Sequence, residues 1–495
     1  MAMQEELSPL LPLKRAPPAV DDTADMQAII RDEVPAMYRL AYPVVGLCLT
    51  PGLVSLVLVG QMAAEDTKRF VDAAALSVMY LNLTALSVGI GLATAMDTLC
   101  AQAYGAGNLR HIGLYLQTGT VVLGAAFVPI FLANFYSADI LVYLNQPEDV
   151  AALSGSFSRI LAFGLPFLYA YELLKKVLQA QNIALPMLYS AILCNMVNVV
   201  MGYLLVNHTP CGYLGAAISR TLGNMALPLS LLPYFLQKNR LAFWPGWQLR
   251  AAVQGVPEFI YFGLAGMLMM VFEWWSYEII ALLAGRRFLV HRTLPTPCLG
   301  LLPNAIVAIG ANAVLVNITA TVYMFYLGIA VAGNIRVGNA LGSNRPKRAK
   351  IAALVATVLA GGVSLVTGIC VFAFRFMYPR VFTQDTAMIE LAAQVAVIVA
   401  GFQFVDGVNA AIQGTLRGCG LQAYGAAINF VSYILFGLPV GYVFEFPFGW
   451  GLPGLWIGMT LGYTFAGVCG AYVLSTRSWQ ALADAAQARA NSKCA

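Results

Sequence analysis

An all-α polytopic membrane protein, with twelve transmembrane helices in two pseudo-symmetric six-helix bundles, is the fold this sequence predicts. Three observations carry that expectation. Apolar runs of about twenty residues recur along the chain, the length an α-helix needs to cross a bilayer. Charge is scarce, with 10% of residues charged, 60% hydrophobic and a mean hydropathy of +0.74, whereas soluble domains are about 25% charged. One half of the chain also echoes the other. A closed β-barrel would need segments of about ten residues that alternate apolar with polar, and the runs here are continuous.

Residues 1–36 are charged and contain proline, with no signal-peptide-like apolar stretch, and are expected to form a flexible cytosolic tail. Inside it, Glu6-Leu7-Ser8-Pro9-Leu10-Leu11 has the acidic-dileucine pattern of a sorting signal. Spans are expected near 37–62, 73–96, 112–135, 156–178, 185–206 and 212–236, which with the following loop form an N-terminal unit, 37–250. Six more near 257–285, 304–333, 350–374, 386–413, 421–444 and 450–474 form a C-terminal unit, 251–475. A cytosolic C-terminal tail, 476–495, completes the chain.

With the N-terminus in the cytosol, Arg110, Lys175, Lys176, Arg336, Arg345 and Arg348 fall among the inner basic residues, which outnumber those outside. That is the positive-inside pattern, and it places both termini in the cytosol. The net charge of +5 follows from this bias and implies no nucleic-acid partner. The nine cysteines are scattered without a C-x-x-C, so neither a metal site nor a disulfide framework is indicated. No Walker, H-E-x-x-H or G-x-S-x-G motif supports an enzyme, and no cofactor is implied.

The internal echo is specific. Gly212, Gly215, Ile218, Thr221, Leu222 and Gly223 recur as Gly451, Gly454, Ile457, Thr460, Leu461 and Gly462 at a constant offset of 239. Ala103-Tyr104-Gly105 pairs with Ala340-Leu341-Gly342 at an offset of 237. Six helices per repeat is an even number, so both halves keep one orientation in the membrane. The offset shrinks to 225 between Val59-Gly60 and Ala284-Gly285, which marks Arg286–Gly300 as an insertion. This segment also places three basic residues on the outer side. Both an outer-loop elaboration and retained intron sequence account for it.

The seventh span carries Glu273 and Glu278 within Phe272-Glu273-Trp274-Trp275-Ser276-Tyr277-Glu278. An ionised carboxylate at a helix centre costs roughly 2.5–3.5 kcal/mol on insertion scales, which makes an intramembrane acid a functional candidate. Five residues place the two acids about 140° apart, on different faces. Tyr277 shares the Glu273 face and is expected to hydrogen-bond its carboxyl. Flanking indoles disfavour the anion, a condition for a proton-exchanging group, and aromatic faces attract cations. In the tenth span, Gln403, Asp406, Asn409 and Gln413 follow steps of three and four along one side. Asn82, Thr84, Asn195 and Asn198 offer neutral polar groups to the first half, and Glu172 is expected to pair locally with Lys175 and Lys176. Arg220 in the sixth span is either buried or snorkels, and Asn207-His208-Thr209 is the one sequon placed in an outer loop.

These residues have a familiar order. Asp97-Thr98-Leu99-Cys100-Ala101-Gln102-Ala103-Tyr104-Gly105 follows the second span, and Glu273, Trp275 and Glu278-Ile279 fit E-x-W-x-x-E-I in the seventh. Arg336-Val337, Asn339 and Leu341-Gly342, then Leu416-Arg417-Gly418-Cys419-Gly420, then Gly454-Leu455-Trp456-Ile457-Gly458 complete the series. From about 35 to 475 the chain resembles the multidrug and toxic compound extrusion (MATE) transporters, most closely their eukaryotic, plant-like detoxification branch.

The resemblance implies a monomeric antiporter with two bundles facing a cavity. It would export organic cations, xenobiotics or secondary metabolites in exchange for protons, sodium being the other coupling ion. It also implies proton-coupling roles for Glu273 and Asp406, a cavity lined by Glu278, Trp275, Tyr277, Asn82, Asn409 and Gln413, and a plasma or vacuolar membrane. Ala340 stands where the family motif has an acidic residue, and Arg286–Gly300 interrupts a family stretch that otherwise runs through Leu282-Leu283-Ala284-Gly285 to Leu301-Leu302-Pro303-Asn304.

Overall fold

A computed structural model describes residues 26–48, 67–144, 146–237, 243–290 and 305–491. Among them, nine helices are long and apolar enough to cross a membrane, and a tenth is the pair Glu148–Ala162 and Leu165–Ala180, bent by 47°. Met26–Cys48 and Leu214–Phe235 bring the set to twelve.

In chain order the N-terminal half holds α1 (Met26–Cys48), α2 (Thr67–Leu81 through Ala95–Gly105), α3 (Leu109–Phe135), α4 (the bent pair), α5 (Leu185–Asn207) and α6 (Leu214–Phe235). The C-terminal half holds α7 (Val256–Val290), α8 (Ala305–Gly342), α9 (Pro346–Ala373), α10 (Thr386–Cys419), α11 (Gln422–Glu445) and α12 (Leu452–Thr476). A further helix, α13 (Trp479–Asn491), follows.

Local chemistry sets the breaks. The bend of α4 falls at Phe163-Gly164, and the second segment restarts with Pro166 in its first turn, where a missing N–H costs nothing. At the start of α10 the Asp385 side chain accepts from the Ala387 N–H at 2.9 Å, and the helix ends at Gly420, whose φ of 77° favours glycine. Two spans contain π-helical turns, Asn82–Leu86 in α2 and Phe430–Gly437 in α11, a distortion often found at functional sites. Large apolar residues outside the core, such as Leu354, Val358, Leu365, Val366 and Ile369 on α9, form the face that meets lipid.

The halves meet at the end of the molecule that carries α13, here called the tail face. Repeat-related motifs touch each other there. A Cβ on Gly105 would collide with the Asn339 carbonyl, and one on Gly342 with that of Gln102. Thr98 Oγ1 donates to the Arg417 carbonyl at 2.5 Å, and Gln102 Nε2 to that of Gly418 at 3.0 Å. Gln422 Nε2 closes the network onto Thr98 Oγ1 at 2.6 Å. Beside this seam, Glu33 of α1 receives both forks of Arg336 at 2.7 Å and Arg348 Nε at 2.6 Å.

Both ends of the chain carry structure beyond the expected spans. The first helix begins at Met26, so residues 26–36 are not tail, and Glu33 is 1% exposed because two guanidiniums enclose it. Residues 479–491 are helical because Ala483, Ala486 and Ala490 line one buried side of α13. The backbone of α7 continues helical to Val290, into the suspected insertion, while 291–304 lie outside the described residues. The dileucine-like pattern also lies outside them.

Candidate functional site

The middle of the C-terminal half is polar inside and apolar outside. Gln403, Asp406, Asn409 and Gln413 are all buried on one side of α10. Its three amides reach two neighbouring helices. Gln403 Oε1 accepts from Tyr326 of α8 at 3.1 Å, Asn409 Nδ2 donates to Tyr433 of α11 at 2.8 Å, and Gln413 Nε2 donates to Asn429 Oδ1 at 2.8 Å. Asn429 in turn donates to the Met269 carbonyl of α7 at 3.1 Å. The stripe therefore ties α8, α11 and α7 around α10.

Asp406 differs from its neighbours. It is 1% exposed, and its Oδ2 has no hydrogen-bond partner among the described residues. Glu273 of α7, 8% exposed, is close enough for the two charges to repel. Neither acid has a lysine or arginine within ion-pair distance among the described residues, and the cation whose field reaches Glu273 is Arg417. An aromatic wall encloses the pair. Tyr433 and Tyr463 stack at 4.5 Å, Phe402 meets Tyr463 edge-on at 5.0 Å, and Trp456 is fixed by its Nε1–H to Asn312 Oδ1 at 3.2 Å.

The expected Tyr277–Glu273 hydrogen bond is replaced. Tyr323 of α8 is the phenol in reach of the Glu273 carboxyl, while Tyr277 turns its ring towards Tyr463, 6.3 Å away and steeply inclined. Inclined ring pairs of this kind are a favoured aromatic geometry. Glu273, Ser276 and Ile280 form the buried side of α7, whereas Trp275 is 46% exposed and Glu278 is half-buried. Trp275 and Glu278 therefore share a second face, away from Asp406. Asn82 lies on the π-helical turn of α2, which packs against α7 from the other half.

Sequence reasoning missed Tyr323, Tyr326, Tyr433 and Tyr463, because a tyrosine in an apolar span raises no alarm. Their one available signal was the three-residue step that puts Tyr323 and Tyr326 near one face of α8. It also missed Asp97 as a partner. Lys175 takes Glu172 at 2.5 Å as expected, but Lys176 crosses to Asp97 Oδ1 at 2.6 Å, because Asp97 lies on the α2 segment that packs against α4. Arg220 does not snorkel fully, since its Nη1 is buried and has no hydrogen-bond partner among the described residues. Asn198 bonds Ser219 at 3.1 Å, a link between helices, and Asn207 is exposed at the end of α5.

The chain is a multi-pass integral membrane protein of two six-helix bundles, with an enclosed acidic pair in the second. A family model described as MatE matches residues 47–204 and 298–443, once in each half, and the two stretches end 239 residues apart, the repeat offset. The chain belongs to the MATE family. It is 32% identical over 462 residues to "Multidrug and toxin extrusion protein 1" of Oryctolagus cuniculus, covering 93% of this chain and 78% of that one. It is 32% identical over 468 residues to "Multidrug and toxin extrusion protein 2" of Mus musculus, covering 94% and 78%. Among solved structures, the eukaryotic MATE transporter AtDTX14 superposes with a TM-score of 0.83 at 28% identity, over 93% of this chain and all of that one. The Vibrio cholerae MATE transporter VcmN in its bent form shares the fold, with a TM-score of 0.78 at 17% identity over 94% and 100%.

Proposed function

We propose that this chain is a secondary antiporter, not an enzyme, that exports organic cations, xenobiotics or secondary metabolites in exchange for protons. The observation that carries the reading is the Glu273–Asp406 pair, buried together without an ion-pair partner. Two such carboxyls are too costly to keep charged in a dry interior. Each is neutralised either by taking a proton or by holding a cation, and these two states exclude each other. A proton adding to the carboxylate releases the organic cation, and loss of the proton restores the anion for the next one. Tyr433, Tyr463 and Tyr277 present aromatic surface beside the acids, suited to an apolar cation. The names of the multidrug and toxin extrusion relatives support the substrate class.

Transport then requires the units 37–250 and 251–475 to rock about the site, with Glu278, Trp275, Asn82, Asn409 and Gln413 lining the route. Charge bias supports a cytosolic tail face with both termini on it, in a plasma or vacuolar membrane, and the protein acts as a monomer. The motifs Glu273-x-Trp275-x-x-Glu278-Ile279 and Leu416–Gly420 support the plant-like detoxification branch.

Uptake of an organic cation into everted vesicles, with pH and sodium gradients imposed separately, tests the coupling. Glu273→Gln should remain folded and inserted yet lose pH-driven uptake, and wild-type uptake in that variant refutes the assignment. One observation favours sodium as a second reading. Asp406 Oδ2, Asn409 Oδ1 and Gln413 Oε1 lie along one stripe, are buried, and have no hydrogen-bond partners among the described residues. Oxygen sets of this kind suit hard cations, so uptake driven by sodium at fixed pH would establish that alternative.

A further inference from the structure

Helix α13 hangs from the C-terminal half, three residues after α12, and reaches across the seam to the N-terminal half. Its buried side is Ala483, Ala486 and Ala490, small residues at helical spacing that let it lie close against α2, α8 and α9. Trp479 and Leu482 add apolar contact with the core, and the other long side chains in the contact are polar. Arg489 Nε donates to Gln102 Oε1 at 3.0 Å, and its guanidinium lies 5.6 Å from the centre of the Phe262 ring. Gln487 donates to the Gly342 carbonyl, and Gln480 to Asn344 Oδ1 at 3.3 Å. At its end, the Ala490 carbonyl is met by Asn108 Nδ2 at 3.0 Å and His111 Nδ1 at 2.9 Å, both from the N-terminal half. A last-turn carbonyl has no partner within its own helix, so the other half of the molecule supplies the cap.

From this geometry we infer that α13 is a releasable clasp that holds the tail face shut and positions the two halves during the transport cycle. Gln102 shows the linkage. Its Nε2 bonds the Gly418 carbonyl of α10 while its Oε1 receives Arg489, so the clasp and the seam share one side chain. If the halves part to open the site to the tail face, α13 travels with the C-terminal half and loses Gln102, Asn108 and His111 together. Interactions made in one state alone bias the equilibrium towards it. A thirteen-residue helix is marginal in water by itself, so the clasp is held by contacts that can be lost and remade. It lies beyond residue 443, where the family-model match ends.

The inference rests on the antiporter reading, and two readouts keep their failures distinct. The first needs no substrate: Asn108→Cys is labelled with a membrane-impermeant maleimide from the tail face, with and without Gln487→Ala and Arg489→Ala. Release of the clasp should raise the labelling rate several-fold, and an unchanged rate overturns the proposal. The second bridges Asn108→Cys to Asn491→Cys with a short, reducible bis-thiosulfonate in full-length protein. Bridging should suppress organic-cation uptake at least tenfold, and reductant should restore it. Uptake that continues at the wild-type rate with the bridge in place overturns the clasp. If unbridged protein carries no organic cation, the antiporter reading has failed, while the labelling result still decides whether α13 releases.

Discussion

The two halves share a fold and bury their carboxylates in opposite ways. In the N-terminal half Asp97 is matched with Lys176 at 2.6 Å and Glu172 with Lys175 at 2.5 Å, close to the seam. In the C-terminal half Glu273 and Asp406 lie together inside an aromatic wall, with no cation in ion-pair contact among the described residues. A matched pair is fixed, since losing either partner strands a buried charge. An unmatched pair can change its protonation without breaking the structure. The difference separates the charges that hold this protein together from those available to work.

The largest expected effect is on activity. Asp406→Asn should reduce pH-driven uptake to the vesicle background, a fall on the order of 100-fold if it removes a required proton carrier, with the melting temperature of the purified protein nearly unchanged. Next comes stability. Lys176→Met leaves Asp97 buried and alone and should cost about 3–5 kcal/mol, read as lower detergent-solubilised yield and melting temperature. Adding Asp97→Asn should recover most of that loss. A Lys176→Met protein that folds normally yet does not transport would dissolve the contrast between the halves.

Glu33 gives a smaller, pH-dependent effect. Burial alone would push its carboxyl up, but Arg336 and Arg348 outweigh burial and hold it below the usual carboxylate value. Its stabilisation is therefore present above the unfolded value of about 4.3 and is lost as pH falls through the lower folded one. Melting curves of wild type and Glu33→Gln should differ at neutral pH and converge as acid protonates the wild-type carboxyl. Smallest of all, Glu278→Gln and Trp275→Ala should shift the apparent substrate KM by about 10-fold or less, the scale of one partly exposed contact, without abolishing uptake. Equal loss in Glu278→Gln and Glu273→Gln would remove the distinction between the two faces of α7.

Twelve spans could be read in the sequence because a bilayer demands a long apolar run from each helix, and Glu273 and Asp406 stood out because charge inside such a run is rare. The tyrosines that enclose them were silent, since a phenol costs an apolar helix little and its partner lies far away in sequence. Asp97 and Lys176 look like ordinary edge charges until α2 and α4 pack. Helix α13 was missed for the opposite reason. Alanine is weakly hydrophobic, and a stripe of Ala483, Ala486 and Ala490 among Gln and Arg reads as polar until something lies against it. What chain periodicity cannot convey is which polar groups meet.

The reciprocal contacts of Gly105 with Asn339 and Gly342 with Gln102 have one further consequence. Each half presents the same small-residue motif to the other, so the seam has the logic of a twofold dimer folded within one chain, with the glycine motifs facing their own copies. A change at one glycine has no sister substitution to match it, unlike a change in a true homodimer, where both copies alter at once. Two independent mutations are needed to remodel such an interface symmetrically, and a single one leaves the molecule lopsided. Duplication thus gave the halves freedom to diverge at their centres, as the paired and unpaired acids show, while constraining them to agree where they touch.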